Sequence, residues 1–441
     1  MSDSPPTGRP IPGWFPEAKL GIFVHWGAYS VPAWAEPTGA LGVVDPDVWF
    51  KHNPYAEWYW NTIRIEGSPA QEHHRTVHGG RPYDEFLDEW KAELFDPADW
   101  VDLFARAGAR YVVPTTKHHD GIALWDAPGT GTRNTVHRGP RRDLIDDIAA
   151  AVRARDLRFG VYYSGGIDWY AGRRDPVLHE DRMDDGRPHE AAYAAYARRQ
   201  VLDLIDRHRP DMLWNDMGWP RAGWASLPEL FSHYYATVPE GVVNDRWDSA
   251  HVDFFTTEYE SGRGNEAAAC WQNCRGIGFS FGYNQVEGPE HLLTATGAVR
   301  LLVDVASRGG NLLLNVGPKA DGTLPQEQRD VLEGMASWMA PHARAVHATR
   351  PPEPGAVEPQ DGSPWVRWTR DERHVYAFVA DVPDEARGHV VLKTQPGLVD
   401  PVTAERLDGR PVQAEAGSEG VHVTSGGLGT SLPTVISFTA R

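Results

Sequence analysis

The chain of 441 residues has almost no cysteine, only Cys270 and Cys274. That excludes a disulfide-stapled scaffold and points to a reducing compartment or to indifference to oxidation. A single Cys-x3-Cys pair without a second pair is a poor zinc signal, so no metal is expected there. Basic charge is scarce as well: 43 Lys and Arg against 61 Asp and Glu give a net charge of −18. Such a balance repels polyanions unless a local basic stripe exists. The densest basic run, His137 to Arg142, is short and broken by Gly139 and Pro140, so no nucleic-acid partner is expected. No apolar run approaches the ~20 residues that span a bilayer, so no membrane partner is expected. The first ten residues carry no apolar stretch of signal-peptide type. These absences together lead to the expectation of a cytoplasmic protein.

Tryptophan, by contrast, is abundant: 18 residues, mostly in the first two thirds. The length suits one large domain and a smaller one. From about residue 14 to 345, strand-like apolar runs alternate with amphipathic stretches. The strands expected are 20–25, 111–116, 158–164, 211–215, 241–244, 254–257, 277–281 and 311–316. The helices expected include 100–107, 144–155, 191–208, 227–236, 291–307 and 326–339. Eight strand–helix units predict an α/β fold, a (β/α)8-like TIM barrel over residues 1–348. The gap between the runs at 241 and 254 is too short for a crossover helix. Either a loop replaces that helix or one strand is misplaced. The cluster Arg350-Pro351-Pro352-Glu353-Pro354-Gly355 ends the pattern. Beyond it, short alternating runs at 374–380, 389–394, 421–424 and 434–439 predict a C-terminal all-β sandwich over 349–441.

In a parallel barrel, chemistry sits at the carboxyl ends of the strands. Those ends carry His25, His118 and His119, Tyr162 and Tyr163, Asp216, Arg246 and Glu258. The segment Leu213-Trp214-Asn215-Asp216-Met217-Gly218-Trp219-Pro220 sets a carboxylate between tryptophans at a strand end. That pairing suits a sugar site, where indole covers C–H faces and an acid does covalent or proton work. Two carboxylates at one mouth point to glycoside hydrolysis. Asp216, near donors such as the histidines, is expected to stay ionised, as a nucleophile must. Glu258, between Thr257 and Tyr259, is expected to have a raised pKa, as an acid/base must.

These motifs resemble the α-L-fucosidases of glycoside hydrolase family 29. The resemblance runs through Gly21 to Gly27, Glu57-Trp58, Lys117 to Gly121, Gly160 to Ser164, Leu213 to Met217, Asn244 to Trp247, Thr257 to Tyr259, Gly278 to Asn284 and Gly310 to Pro318. It implies an exo-acting, retaining α-L-fucosidase with Asp216 as nucleophile and Glu258 as acid/base. Glu260 and Glu266 are rivals for the second role. It also implies sugar contacts from His25, Glu57, Trp58, His118, His119, Trp214 and Arg246, and from one of the adjacent tyrosines, of which Tyr162 is assigned to the site. Phe281 either walls the sugar methyl group or packs the core. The implied partner is a fucosylated oligosaccharide or glycoconjugate; no cofactor is implied, and a homo-oligomer is left open. Two other readings compete: a barrel hydrolase with zinc on His25, His118, His119 and Asp216, and a non-catalytic fucose-binding scaffold.

Overall fold

The structure, a computed structural model, describes residues 9–40, 42–172, 174–259, 270–386 and 388–441. Its first 346 residues hold a curled sheet of eight parallel strands: β1 (Leu20–Val24), β2 (Tyr111–Lys117), β3 (Arg158–Ser164), β4 (Met212–Asp216), β5 (Val242–Val243), β6 (Phe255–Glu258), β7 (Trp271–Gly276) and β8 (Asn311–Val316). They are ordered β5-β4-β3-β2-β1-β8-β7-β6. Beyond β5, Asn244 makes a single parallel bridge to Phe254, immediately before β6, so the two ends of the ladder meet. A loop therefore stands where the short gap left no room for a helix. Among the described residues no helix is long and apolar enough to cross a membrane.

Strand periodicity sorts the side chains into two apolar clusters. Leu20, Ile22, Val24, Val161, Tyr163 and Leu213 face outward and pack with Leu103, Ile148, Leu204 and Leu302 of the surrounding helices. Phe23, Tyr111, Val113, Tyr162, Met212, Trp214 and Cys274 face into the curl. The helices begin where polar caps place them: Asp96 accepts from Ala98 and Asp99 N–H ahead of Pro97–Arg106, Asp143 caps Leu144–Ala154, and Thr294 caps Ala295–Ser307. The caps explain why the helix expected from Trp100 starts earlier and the one expected from His291 starts later.

The expected strand 277–281 is corrected: that segment is a loop, and the seventh strand is Trp271–Gly276. Gln272 and Asn273 disguise it, because strands of parallel sheets ordinarily read as apolar. Both amides are buried and bonded. Gln272 accepts from Trp214 Nε1 at 2.9 Å and donates to the Tyr111 hydroxyl at 2.8 Å, while Asn273 donates to Thr257.

After the helix Gln326–Val346 the chain turns antiparallel: β9 (Gln360–Asp361), β10 (Trp365–Arg370), β11 (His374–Ala380), β12 (His389–Leu392), β13 (Val399–Arg406), β14 (Gln413–Gly417), β15 (Gly420–Thr424) and β16 (Thr434–Ala440). They form a five-stranded sheet, β13-β16-β11-β10-β9, and a three-stranded sheet, β12-β15-β14. One apolar cluster, including Val375, Val379, Leu392, Val423 and Phe438, draws on both sheets. The other face of the larger sheet, through Trp365, Tyr376 and Phe378, joins the core around the helices. Trp338 there donates to the Pro433 carbonyl, and Arg367 meets Asp304 at 2.6 Å.

Gly21 is required by close packing. A Cβ added there would lie 2.2 Å from the Tyr111 ring inside the curl. Gly21→Ala is expected to destabilise the protein by about 1–3 kcal/mol through overpacking, read as a lower urea midpoint at unchanged m-value.

Candidate active site

Following the inward register to the carboxyl end of each strand, and one residue past it in β1, leads to the site. His25 follows Gly21 and Phe23, Tyr162 follows Gly160, Asp216 follows Met212 and Trp214, and Glu258 follows Phe254 and Thr256. All face one cavity of ≈ 160 Å³, which also takes in Glu57, Trp58, His118, His119, Trp214, Arg246 and Phe281. Pockets that hold drug-sized ligands run ~300–1,000 Å³, so this space suits a single sugar ring rather than a chain of them. The two adjacent histidines both reach it because β2 ends at Lys117. A register shift between Thr115 and Lys117, and the turn closed by Gly121 N–H on the His118 carbonyl, take them off the strand. Tyr163 points the other way, its hydroxyl donating to Gln200 at 2.8 Å.

Arg246 organises the charges. Its Nη1 meets Asp216 Oδ1 at 2.9 Å and its Nη2 meets Glu258 Oε2 at 3.3 Å, with the guanidinium carbon 4.7 Å from the Trp214 ring centroid. Thr256 Oγ1 accepts from its Nε at 3.0 Å. Asp216 receives two further bonds: the Tyr162 hydroxyl donates to Oδ2 at 2.8 Å and the Met217 N–H to Oδ1 at 2.9 Å. Burial alone would raise the pKa of Asp216, but Arg246, His119 and Tyr162 outweigh it and hold the carboxyl below its ordinary range. Glu258 is the opposite case. Burial pushes it up, Asp216 adds repulsion, and Arg246 with the Tyr55 hydroxyl (2.9 Å to Oε1) only partly compensates.

The remaining groups are mostly neutral. Burial lowers His25 to about 3 and His119 to about 4, and holds His118 well below the ordinary histidine value. His119 Nε2 lies 3.8 Å from Asp216 Oδ2. That is beyond hydrogen-bond reach, and because the ring is neutral at neutral pH the contact is no ion pair there. Burial raises Glu57 to about 7, against the 2.7 Å bond it accepts from Gly282 N–H. The Phe281 ring lies 5.0 Å from His25 and 5.5 Å from Tyr55, on the wall of the cavity.

The backbone is strained beside both carboxylates. Met217, after Asp216, has φ 61°, and Tyr259, after Glu258, has φ 53°. Non-glycine residues seldom occupy this region and cluster at functional sites when they do. Tyr55, Trp49, Phe50, Met183 and Met217 also line the cavity and were not anticipated. The first three come from the long connection between β1 and β2, where no strand register points to a site. Glu57-Trp58 two residues on was the available signal for Tyr55. Glu260 and Glu266 lie outside the described residues. Among the described residues, no three His, Cys, Asp or Glu side chains are grouped to hold a metal ion.

Residues 3–344 match the α-L-fucosidase family. The α-L-fucosidase of Dictyostelium discoideum is 31% identical over 393 residues, 86% of this chain and 80% of its own length. The tissue α-L-fucosidase of Homo sapiens is 31% identical over 390 residues, 85% of this chain and 77% of its own. Among solved structures, Thermotoga maritima α-fucosidase in complex with fucose is 42% identical with a TM-score of 0.86, covering 97% of each chain. α-L-Fucosidase isoenzyme 1 from Paenibacillus thiaminolyticus is 26% identical with a TM-score of 0.75, covering 97% of this chain and 98% of its own. On this agreement of sequence and architecture, the chain belongs to the α-L-fucosidase family of glycoside hydrolases.

Proposed function

We propose that the protein is an exo-acting, retaining α-L-fucosidase that removes terminal α-L-fucosyl residues from fucosylated glycans by double displacement. Asp216 attacks the anomeric carbon as the Glu258 carboxylic acid protonates the departing oxygen. Glu258, now a carboxylate, takes a proton from water, whose oxygen displaces Asp216 and releases fucose. No metal or organic cofactor enters either step. The observation that carries this reading is the pair of carboxylates on one guanidinium, Asp216 buried and Glu258 partly buried, with pKa values displaced in opposite directions. His25, Glu57, Trp58, His118, His119, Tyr162, Trp214 and Arg246 hold the sugar, and Phe281 forms the wall against its methyl group. In the same reading the curled sheet works as a (β/α)8-like barrel domain over residues 1–348. The two antiparallel sheets form a sandwich domain over 349–441 that buttresses it.

The test is nitrophenol release from 4-nitrophenyl α-L-fucoside. Asp216→Ala is expected to lower kcat by roughly 10³–10⁶-fold with the melting temperature retained; near-normal turnover would remove Asp216 from the mechanism. For Glu258→Ala, azide is expected to restore turnover on the activated substrate and yield α-L-fucosyl azide, whose retained configuration reports double displacement. Rescue of a Glu260 or Glu266 variant instead would reassign the acid/base.

Activity in this scheme needs Asp216 ionised and Glu258 protonated. kcat/KM therefore rises with pH through the Asp216 titration, below the ordinary aspartate range, and falls through that of Glu258, above the ordinary glutamate range. The Tyr55 hydroxyl favours the Glu258 carboxylate. Tyr55→Phe is thus expected to move the alkaline limb of the pH profile to higher pH, and an unmoved limb would show that Glu258 does not set it.

A further inference from the structure

Two hydrogen-bond chains run outward from the cavity, and each ends on a backbone carbonyl. A carbonyl can only accept, so it dictates the direction of every bond behind it. In the first, the Ser164 hydroxyl donates to the Ile167 carbonyl at 2.7 Å, and its oxygen faces His119 Nδ1 at 2.7 Å. Its one proton is committed to Ile167, so Ser164 offers His119 only lone pairs, and Nδ1 must carry the hydrogen. In the second, Asn315 Nδ2 donates to the Phe281 carbonyl at 2.6 Å, and Oδ1 faces His25 Nδ1 at 2.7 Å. The amide end beside a carbonyl has to be its NH₂, which leaves oxygen toward His25, and Nδ1 again must donate. Side-chain amide orientation and histidine tautomer are ordinarily assigned rather than observed; here the terminal carbonyls remove the choice.

We propose that Ser164 and Asn315 are positioning residues that fix His119 and His25 as Nδ1–H tautomers, so that both meet the sugar with a bare Nε2. Each then accepts a hydrogen bond from a sugar hydroxyl, and the cavity selects for hydroxyls able to donate. A buried acceptor left without a donor loses its compensation, so a sugar missing that hydroxyl is rejected strongly. His118 has no such chain: its Nδ1 is buried without a partner among the described residues.

This assignment deepens the fucosidase reading, but proton positions are read without turnover, so the two can fail separately. Neutron diffraction from crystals exchanged into heavy water at neutral pH is expected to place deuterium on Nδ1 and none on Nε2 of His119 and His25. Deuterium on Nε2 of either ring overturns the assignment for that ring. In Ser164→Ala the ring loses its acceptor, and the hydrogen of His119 is expected to move to Nε2, with kcat/KM on the aryl fucoside falling roughly 10- to 100-fold. A hydrogen that stays on Nδ1 in this variant would strip Ser164 of the role. His25, held through Asn315, serves as the unchanged reference in the same crystal.

Discussion

The site depends on one guanidinium shared by two carboxylates, Asp216 buried and Glu258 partly buried. Two anions lining one cavity would repel each other and drive both pKa values upward, leaving neither fit for a charged role. A cation at contact distance supplies about 4 kcal/mol at an effective dielectric of ~20, enough to keep one or both ionised. Arg246 divides that influence unequally. Asp216 has the shorter contact and gains Tyr162 and the Met217 N–H, while Glu258 has the longer contact and, among the described residues, gains only Tyr55. The surrounding charges, more than the difference in distance, separate the two: Arg246 and His119 lower Asp216, whereas Asp216 itself adds to the burial that raises Glu258. Both roles in the proposed mechanism follow from that separation.

Holding Arg246 in place takes work from the rest of the fold. The guanidinium lies over Trp214, whose indole N–H is tied to Gln272, which is tied in turn to Tyr111. Tyr111 fills the space beside Gly21 in β1. A polar chain thus crosses the interior from β4 through β7 to β2 beneath the cavity, and its buried members are bonded to one another, as a low-dielectric interior demands. Positive φ at Met217 and Tyr259 belongs to the same economy of position, since the Met217 conformation turns its N–H onto Asp216. The outer helices and the face of the β13–β9 sheet packed on them hold the curl from behind.

Much of this was legible residue by residue. The strand ends bring His25, Asp216 and one of the pair Tyr162 and Tyr163 to one mouth, alternation setting that pair on opposite faces, and the short gap before Phe254 announces either a loop in place of a helix or a misplaced strand. The residues expected to touch the sugar, from His25 to Phe281, line one cavity. The seventh strand was not legible, because Gln272 and Asn273 look like loop residues until their partners are known, and the partners are 58, 161 and 16 positions away. Tyr55 was missed for a related reason. It reaches Glu258 across 203 positions from a connection with no regular register.

The sequence by itself determined which residue types stand at the strand ends and that neighbours along a strand take opposite sides of the sheet, because side-chain direction in a strand follows from a period of two. It also determined the chemical class, since tryptophan, carboxylate and histidine recur there in family-specific order. Tertiary structure alone decided how each group is charged and which way its hydrogens point. Those properties depend on the distance to a cation, the degree of burial and the carbonyl at the end of a hydrogen-bond chain, all set by residues remote along the chain.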